Sequence, residues 1–166
     1  MAFMLWLATL AQLALAQADP GGLSGRKVIL TVQSWDDPAQ PLLISSDYTG
    51  TVGPGAEFQL RREAGNGLGV VPVTVDIADA RIDISFPQGT PSAFSLLKFN
   101  GYVLQFLSEC TLFRRAQIDP ATTTLPLTDA NIIMEPQRLM VNVAGLSFGS
   151  TDHIGITLEV ADCPLS

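Results

Sequence analysis

From Val71 to Phe86 the chain alternates with a period of two. Val71, Val73, Val75 and Ile77 fall on one face and Thr74 and Asp76 on the other; after Ala78-Asp79-Ala80, the run Ile82, Ile84, Phe86 repeats the pattern with Asp83 and Ser85 facing out. Successive side chains of a strand leave the backbone on opposite faces, so this period marks half-buried β-structure and does not suit a helix of 3.6 residues per turn. Two such runs on a short connection predict a meander.

The same period recurs along the chain. Arg26–Trp35 places Val28, Leu30 and Val32 on one face, Glu57–Arg62 places Phe58 and Leu60 inward with Glu57 outward, and Arg138–Val143 places Leu139, Val141 and Val143 inward. The last run puts Ile154, Ile156, Leu158 and Val160 inward with His153, Thr157 and Glu159 outward. Leu42–Thr51 and Asn131–Glu135 are weaker strand candidates. Phe94–Leu107 is apolar on both faces, as a central strand is, and Asn100-Gly101 within it predicts a bend or bulge. The runs are divided by turn chemistry: Asp36-Asp37-Pro38, the hairpin signal Gly65-Asn66-Gly67, the loop Pro87–Ser92, and a Thr- and Pro-rich connection over Asp119–Thr128. Short alternating strands at near-regular spacing argue for an antiparallel sandwich or open barrel. The reading adopted is an all-β, antiparallel β-sandwich of jelly-roll or immunoglobulin-like type.

Residues 1–18 are of another kind. They carry no charge, Phe3–Ala16 is almost wholly apolar, and Ala16-Gln17-Ala18 is a small-x-small cleavage site ahead of Asp19-Pro20. This predicts a signal-peptide helix over 1–18 and a single β-domain over 19–166. No Lys or Arg precedes the apolar run, which leaves a shortened or mis-assigned start, or an uncleaved anchor, as the alternatives. The run is shorter than the ~20 residues a spanning helix prefers, which favours cleavage and no stable membrane span afterwards. The expected address is secreted or periplasmic. An oxidising compartment pairs Cys110 with Cys163, the chain's two cysteines.

Composition bounds the partners. Charged residues make up 15% of the chain and the net charge is −7. Nucleic-acid binding needs a basic stripe to release counterions, and the pairs Arg61–Arg62 and Arg114–Arg115 do not make one; they read as solvated positions. The single histidine, His153, cannot build a usual zinc site with two bridged cysteines, and no G-x-S-x-G elbow accompanies it. Asp76, Asp79 and Asp83 gather around one turn, with Asp36, Asp37 and Asp47 around another. Asp-rich turns are where extracellular β-domains hold calcium, so Asp76, Asp79 and Asp83 are the metal candidates, although their spacing matches neither calcium-loop pattern. Trp35, Tyr48 and Tyr102 are the aromatics that could stack on a sugar. The glycines of Gly65–Gly69 lack the strand-to-helix context of a phosphate cradle.

Four stretches taken together resemble a known module. They are Val52-Gly53-Pro54-Gly55-Ala56-Glu57-Phe58; Val75-Asp76-Ile77 through Ile82-Asp83-Ile84-Ser85-Phe86; Phe99-Asn100-Gly101-Tyr102-Val103; and Val141–Phe148 with Ile154–Val160. In this order they resemble a β-sandwich module that recurs in exported bacterial proteins. The resemblance implies the fold and bacterial export. The module has no settled activity, so no functional residue is carried over, and the two cysteines lie outside its pattern. The expectation is therefore an exported, non-catalytic module that binds a protein or polysaccharide partner or serves a cell-surface assembly. The alternative is a calcium-dependent extracellular binding module.

Overall fold

The computed structural model describes residues 22–62, 64–65, 68–87 and 91–165. The expected signal-peptide helix and its cleavage site lie outside these residues. The described chain is built of short strands: β1 (Lys27–Trp35), β2 (Leu43–Ile44), β3 (Tyr48–Thr51), β4 (Phe58–Gln59), β5 (Ala64–Gly65), β6 (Leu68–Gly69), β7 (Thr74–Ala78) and β8 (Arg81–Ser85). They continue as β9 (Ser92–Ala93), β10 (Phe99–Phe106), β11 (Phe113–Ile118), β12 (Ile132–Met134), β13 (Arg138–Asn142), β14 (Ser147–Phe148) and β15 (His153–Val160). Among the described residues the one helical element is a 3-10 turn at Asp129–Asn131, and no helix is long and apolar enough to cross a membrane. The fold is all-β.

Every pairing is antiparallel. One sheet runs in the order β12-β13-β10-β1-β2, with β3 also paired to β1; the other runs β11-β15-β8-β7-β4; neither closes into a barrel. Two small ribbons, β9–β14 and β5–β6, complete the pairing. The register Gly65↔Leu68 leaves the two positions expected of the Asn66-Gly67 turn, which itself lies outside the described residues.

The period-two pattern explains the core. Val28, Leu30 and Val32 of β1, Tyr102, Leu104 and Phe106 of β10, and Leu139 and Val141 of β13 are buried in the same apolar cluster as residues of the second sheet. From that sheet come Val75 and Ile77 of β7, Ile82 and Ile84 of β8, and Ile154, Ile156 and Leu158 of β15. Each such side chain contributes about 1.5–3 kcal/mol on burial. As its two-sided apolarity predicts, β10 is central, and its other face joins a separate small cluster of Phe99, Val103 and Met140 with Trp35 packed against it.

Three sequence expectations are corrected. First, β10 has no bulge at Asn100-Gly101: its register with both neighbours runs unbroken, Ser34↔Asn100, Gln33↔Gly101 and Gly101↔Asn142. The glycine serves close approach, because a Cβ on it would run into the carbonyl of Val141. Second, β11 was not expected as a strand. The bulge lies there, between Phe113 and Arg115, and it breaks the alternation that would have revealed the strand. Third, Glu57 is not a solvated outward residue. Its carboxylate accepts from the backbone N–H of Gly53 at 2.9 Å and of Ile77 at 2.7 Å, tying the loop after β3 to β7.

Candidate functional site

The three aspartates singled out from the sequence do not converge. Asp76 is exposed and stands directly opposite Asp83 across the β7–β8 hairpin. Asp79, in the two-residue turn of that hairpin, accepts from the Ser24 N–H at 2.9 Å and ties down the segment before β1. The hydrogen bonds from Ser24 hold its carboxyl below the usual carboxylate range. Asp83 belongs to a charge cluster on the outer face of the second sheet. Arg81 grips it through two bonds of 2.6 and 2.7 Å, and His153 Nε2 lies 2.9 Å away. Among the described residues no three His, Cys, Asp or Glu side chains are gathered as a metal ion would require.

The same arginine reaches Asp119 and the Thr122 hydroxyl, both at 2.7 Å, and so fastens the Asp119–Thr124 connection over the sheet. Gly155 of β15 makes the room, since a Cβ there would meet Thr122 Oγ1 and the Arg81 guanidinium. Burial pushes the Asp83 carboxyl up, but the hydrogen bonds and charges of Arg81 and His153 outweigh it and the net shift is down. Arg81, Ala121 and Thr122 together hold Asp119 low as well. The carboxylates of this cluster are engaged by protein donors, so it works as a clamp on the connection. The sequence reading of His153 as an outward residue missed this partner. Asp83 is seventy residues away and adjoins His153 only through the β8–β15 pairing.

The sugar-stacking candidates are also dispersed. Trp35 stacks on Phe99, ring centroids 5.2 Å apart, in the small outer cluster. Tyr102 belongs to the main core, and the partly buried Tyr48 packs against it. Tyr102 is the informative one, because it borders a cavity of about 250 Å³.

That cavity is walled by Val32 and Ser34 of β1, Asn100 and Tyr102 of β10, and Phe94 and Phe148 from the β9–β14 region. The two phenylalanines lie 4.6 Å apart, and with Phe86 they form an aromatic cluster at this end of the core. Opposite, Ser34 is only 4% exposed and donates its hydroxyl to Asn100 Oδ1 at 2.8 Å, while Asn100 Nδ2 donates to the Ser95 carbonyl at 3.2 Å. The exposed Arg62 is the only charged side chain among the described lining residues.

Tyr102 is 1% exposed, and its buried hydroxyl has no hydrogen-bond partner among the described residues. Burial pushes the phenol far above its ordinary range, so the group is a neutral donor at every physiological pH. A buried polar atom left unpaired costs about 1–3 kcal/mol. The polar positions of this wall were legible only in part: Ser34 continues the inward series Val28, Leu30, Val32, but a serine there reads as the end of the run.

The Cys110 and Cys163 sulfurs are joined, with Cα atoms 6.3 Å apart, as the cysteine count predicts. No protein-family model, no curated protein and no solved structure matches this chain.

Proposed function

We propose that this chain is an exported, non-catalytic β-sandwich that binds a small ligand in the cavity bordered by Tyr102. The sandwich reading is supported by the single apolar cluster that draws inward residues from both sheets. Export is supported by the cysteine pair at disulfide distance, by the apolar leader of the sequence, and by the resemblance to a module of exported bacterial proteins.

The observation that carries the binding reading is a preformed cavity of about 250 Å³ lined by both apolar and polar side chains. Ligand sites are concave and set polar groups beside apolar surface, and here Ser34, Asn100 and Arg62 stand beside Val32, Phe94 and Phe148. A non-catalytic role is supported by what faces the cavity. The Ser34 hydroxyl is spent on an amide oxygen, which is no base, and His153 is turned to Asp83 on the other sheet.

The test is titration of the ¹⁵N-labelled protein with acetophenone and with α-methylstyrene, followed by amide shifts. Binding predicts saturable shifts confined to β1, β10 and the β9–β14 ribbon around Val32, Tyr102, Phe94 and Phe148. An absence of saturable shifts with both compounds would overturn the reading.

A further inference from the structure

We infer that the cavity takes a compact amphipathic anion, a monocarboxylate built on one aromatic ring or a short branched chain, with its carboxylate on the Arg62 guanidinium. This rests on the binding reading above and narrows it to a ligand class.

Charge sets the first limit. The chain carries 16 Asp and Glu against 9 Lys and Arg, yet no acidic residue is among the described residues that line the cavity, and Arg62 is. An organic cation would meet no counter-charge there, whereas an anion meets a guanidinium. Arg81, Arg115 and Arg138 are each paired with carboxylates of the fold, and Arg26 is spent on main-chain carbonyls. Arg62 has no such partner among the described residues, and it is exposed, so its donors are open to a ligand. A guanidinium presents a planar fork of N–H donors that matches a carboxylate in two parallel hydrogen bonds. One cation balances a monoanion and would leave about half the charge of a phosphate dianion uncompensated.

Size and the rest of the wall set the second. A cavity of about 150 Å³ accommodates benzene, so one of about 250 Å³ holds roughly ten non-hydrogen atoms. Val32, Phe94 and Phe148 supply apolar lining, and the exposed Ser92 and Ser95 add hydroxyl donors. An apolar body gains from the first set, and a carboxylate, which only accepts, gains from the second and from Arg62.

Benzoate and acetophenone share shape and non-hydrogen atom count, with a methyl group replaced by an anionic oxygen, so they isolate the charge. At neutral pH and low salt, dissociation constants from the amide titration should favour benzoate by about fivefold, as an ion pair at an exposed arginine allows. Added salt should shrink this preference and leave acetophenone binding unchanged. Arg62→Gln should bring the ratio to near unity, again without effect on acetophenone. Arg61→Gln changes the net charge equally at an exposed residue that is not part of the lining, so it should keep the ratio. Acetate, which has the carboxylate without the ring, should bind at least about tenfold more weakly than benzoate.

Equal affinity for benzoate and acetophenone, or a preference that survives in Arg62→Gln or disappears in Arg61→Gln, would sink the anion inference, while saturable shifts with acetophenone keep the binding reading. Acetate binding as tightly as benzoate would remove the apolar body from the ligand class. If acetophenone and α-methylstyrene give no saturable shifts, the binding reading falls and the inference with it, and shifts with benzoate alone would then mark an ion pair at the surface.

Discussion

The guanidinium of Arg26 donates a 2.5 Å hydrogen bond to the main-chain carbonyl of Cys163, 137 residues further along the chain. The same side chain donates to the carbonyls of Gly22 at 2.9 Å and Pro164 at 3.3 Å. Arg26 is buried, and that burial lowers its pKa, yet arginine stays charged in proteins. A buried cation must be compensated by hydrogen bonds, and here carbonyl dipoles of the two ends of the described chain supply them. Arg26→Ala should therefore cost about 3 kcal/mol, read as a fall in the urea midpoint at unchanged slope. Arg26→Lys should recover less than half of this, because a single ammonium cannot span three carbonyls in fork geometry. Full stability in Arg26→Lys would show that charge alone matters.

The carbonyl that Arg26 holds belongs to a bridged cysteine. The Cys110–Cys163 pair closes a loop of 53 residues, for which chain entropy gives a stabilisation of about 4 kcal/mol. Reduction, or the double change Cys110→Ser with Cys163→Ser, should lower stability by about that amount. It should also shrink the cost of Arg26→Ala by about 1 kcal/mol, since the arginine then grips a freer strand end. Strictly additive losses would show that the bridge does not position the Cys163 carbonyl.

The Arg81 cluster predicts an acid-sensitive fold. Asp83 and Asp119 have native pKa values below their ordinary 3.8. A carboxylate lowered in the native state adds stability that is fully present above its unfolded value and is lost as the pH falls through the native one. Urea midpoints should therefore hold near pH 6 and decline from about pH 4 downward, with solvent exposure keeping the effect modest. The double change Asp83→Asn with Asp119→Asn should flatten this decline. A decline unchanged in the double variant would assign acid sensitivity to other carboxylates, Asp79 first among them.

How far these relationships could be read from the sequence depends on their range. The inward residues of β1, β7, β8, β13 and β15 follow from alternation, because burial on one face imposes its period on consecutive residues. The disulfide follows from two cysteines in a chain whose leader reads as a signal for export. The Arg81–Asp119 and His153–Asp83 contacts join residues 38 and 70 apart, and only the sheet order brings them together. The same holds for the cavity: Ser34 and Tyr102 come to line it with Phe94 and Phe148 only through the sheet order. Alternation reports which face a side chain takes and is silent on what it meets there. Where a bulge interrupts it, as between Phe113 and Arg115, even the strand is lost to view.

Gly101 shows how the same residue type supports two readings that a substitution can separate. In the sequence Asn100-Gly101 suggests a bulge, where glycine is wanted for its backbone freedom. In the structure it lies in unbroken register between β1 and β13. A Cβ added there would collide with the Val141 carbonyl oxygen and stand 3.0 Å from the Val141 carbonyl carbon and 3.3 Å from Asn142 Cα. These are backbone atoms of the neighbouring strand, which cannot rotate aside as a side chain would. Gly101→Ala should therefore cost about 3 kcal/mol or more, and amide exchange along the β10–β13 pairing, at Val103 and Met140, should accelerate before that of β8 and β15. Gly53→Ala is the control: the nearest atom to its added Cβ is the Thr51 carbonyl oxygen at 3.8 Å, and its stability should stay within about 0.5 kcal/mol of the native protein. A bulge would have spare room for the methyl group, so near-native stability of Gly101→Ala would restore that reading and overturn the close approach of β13.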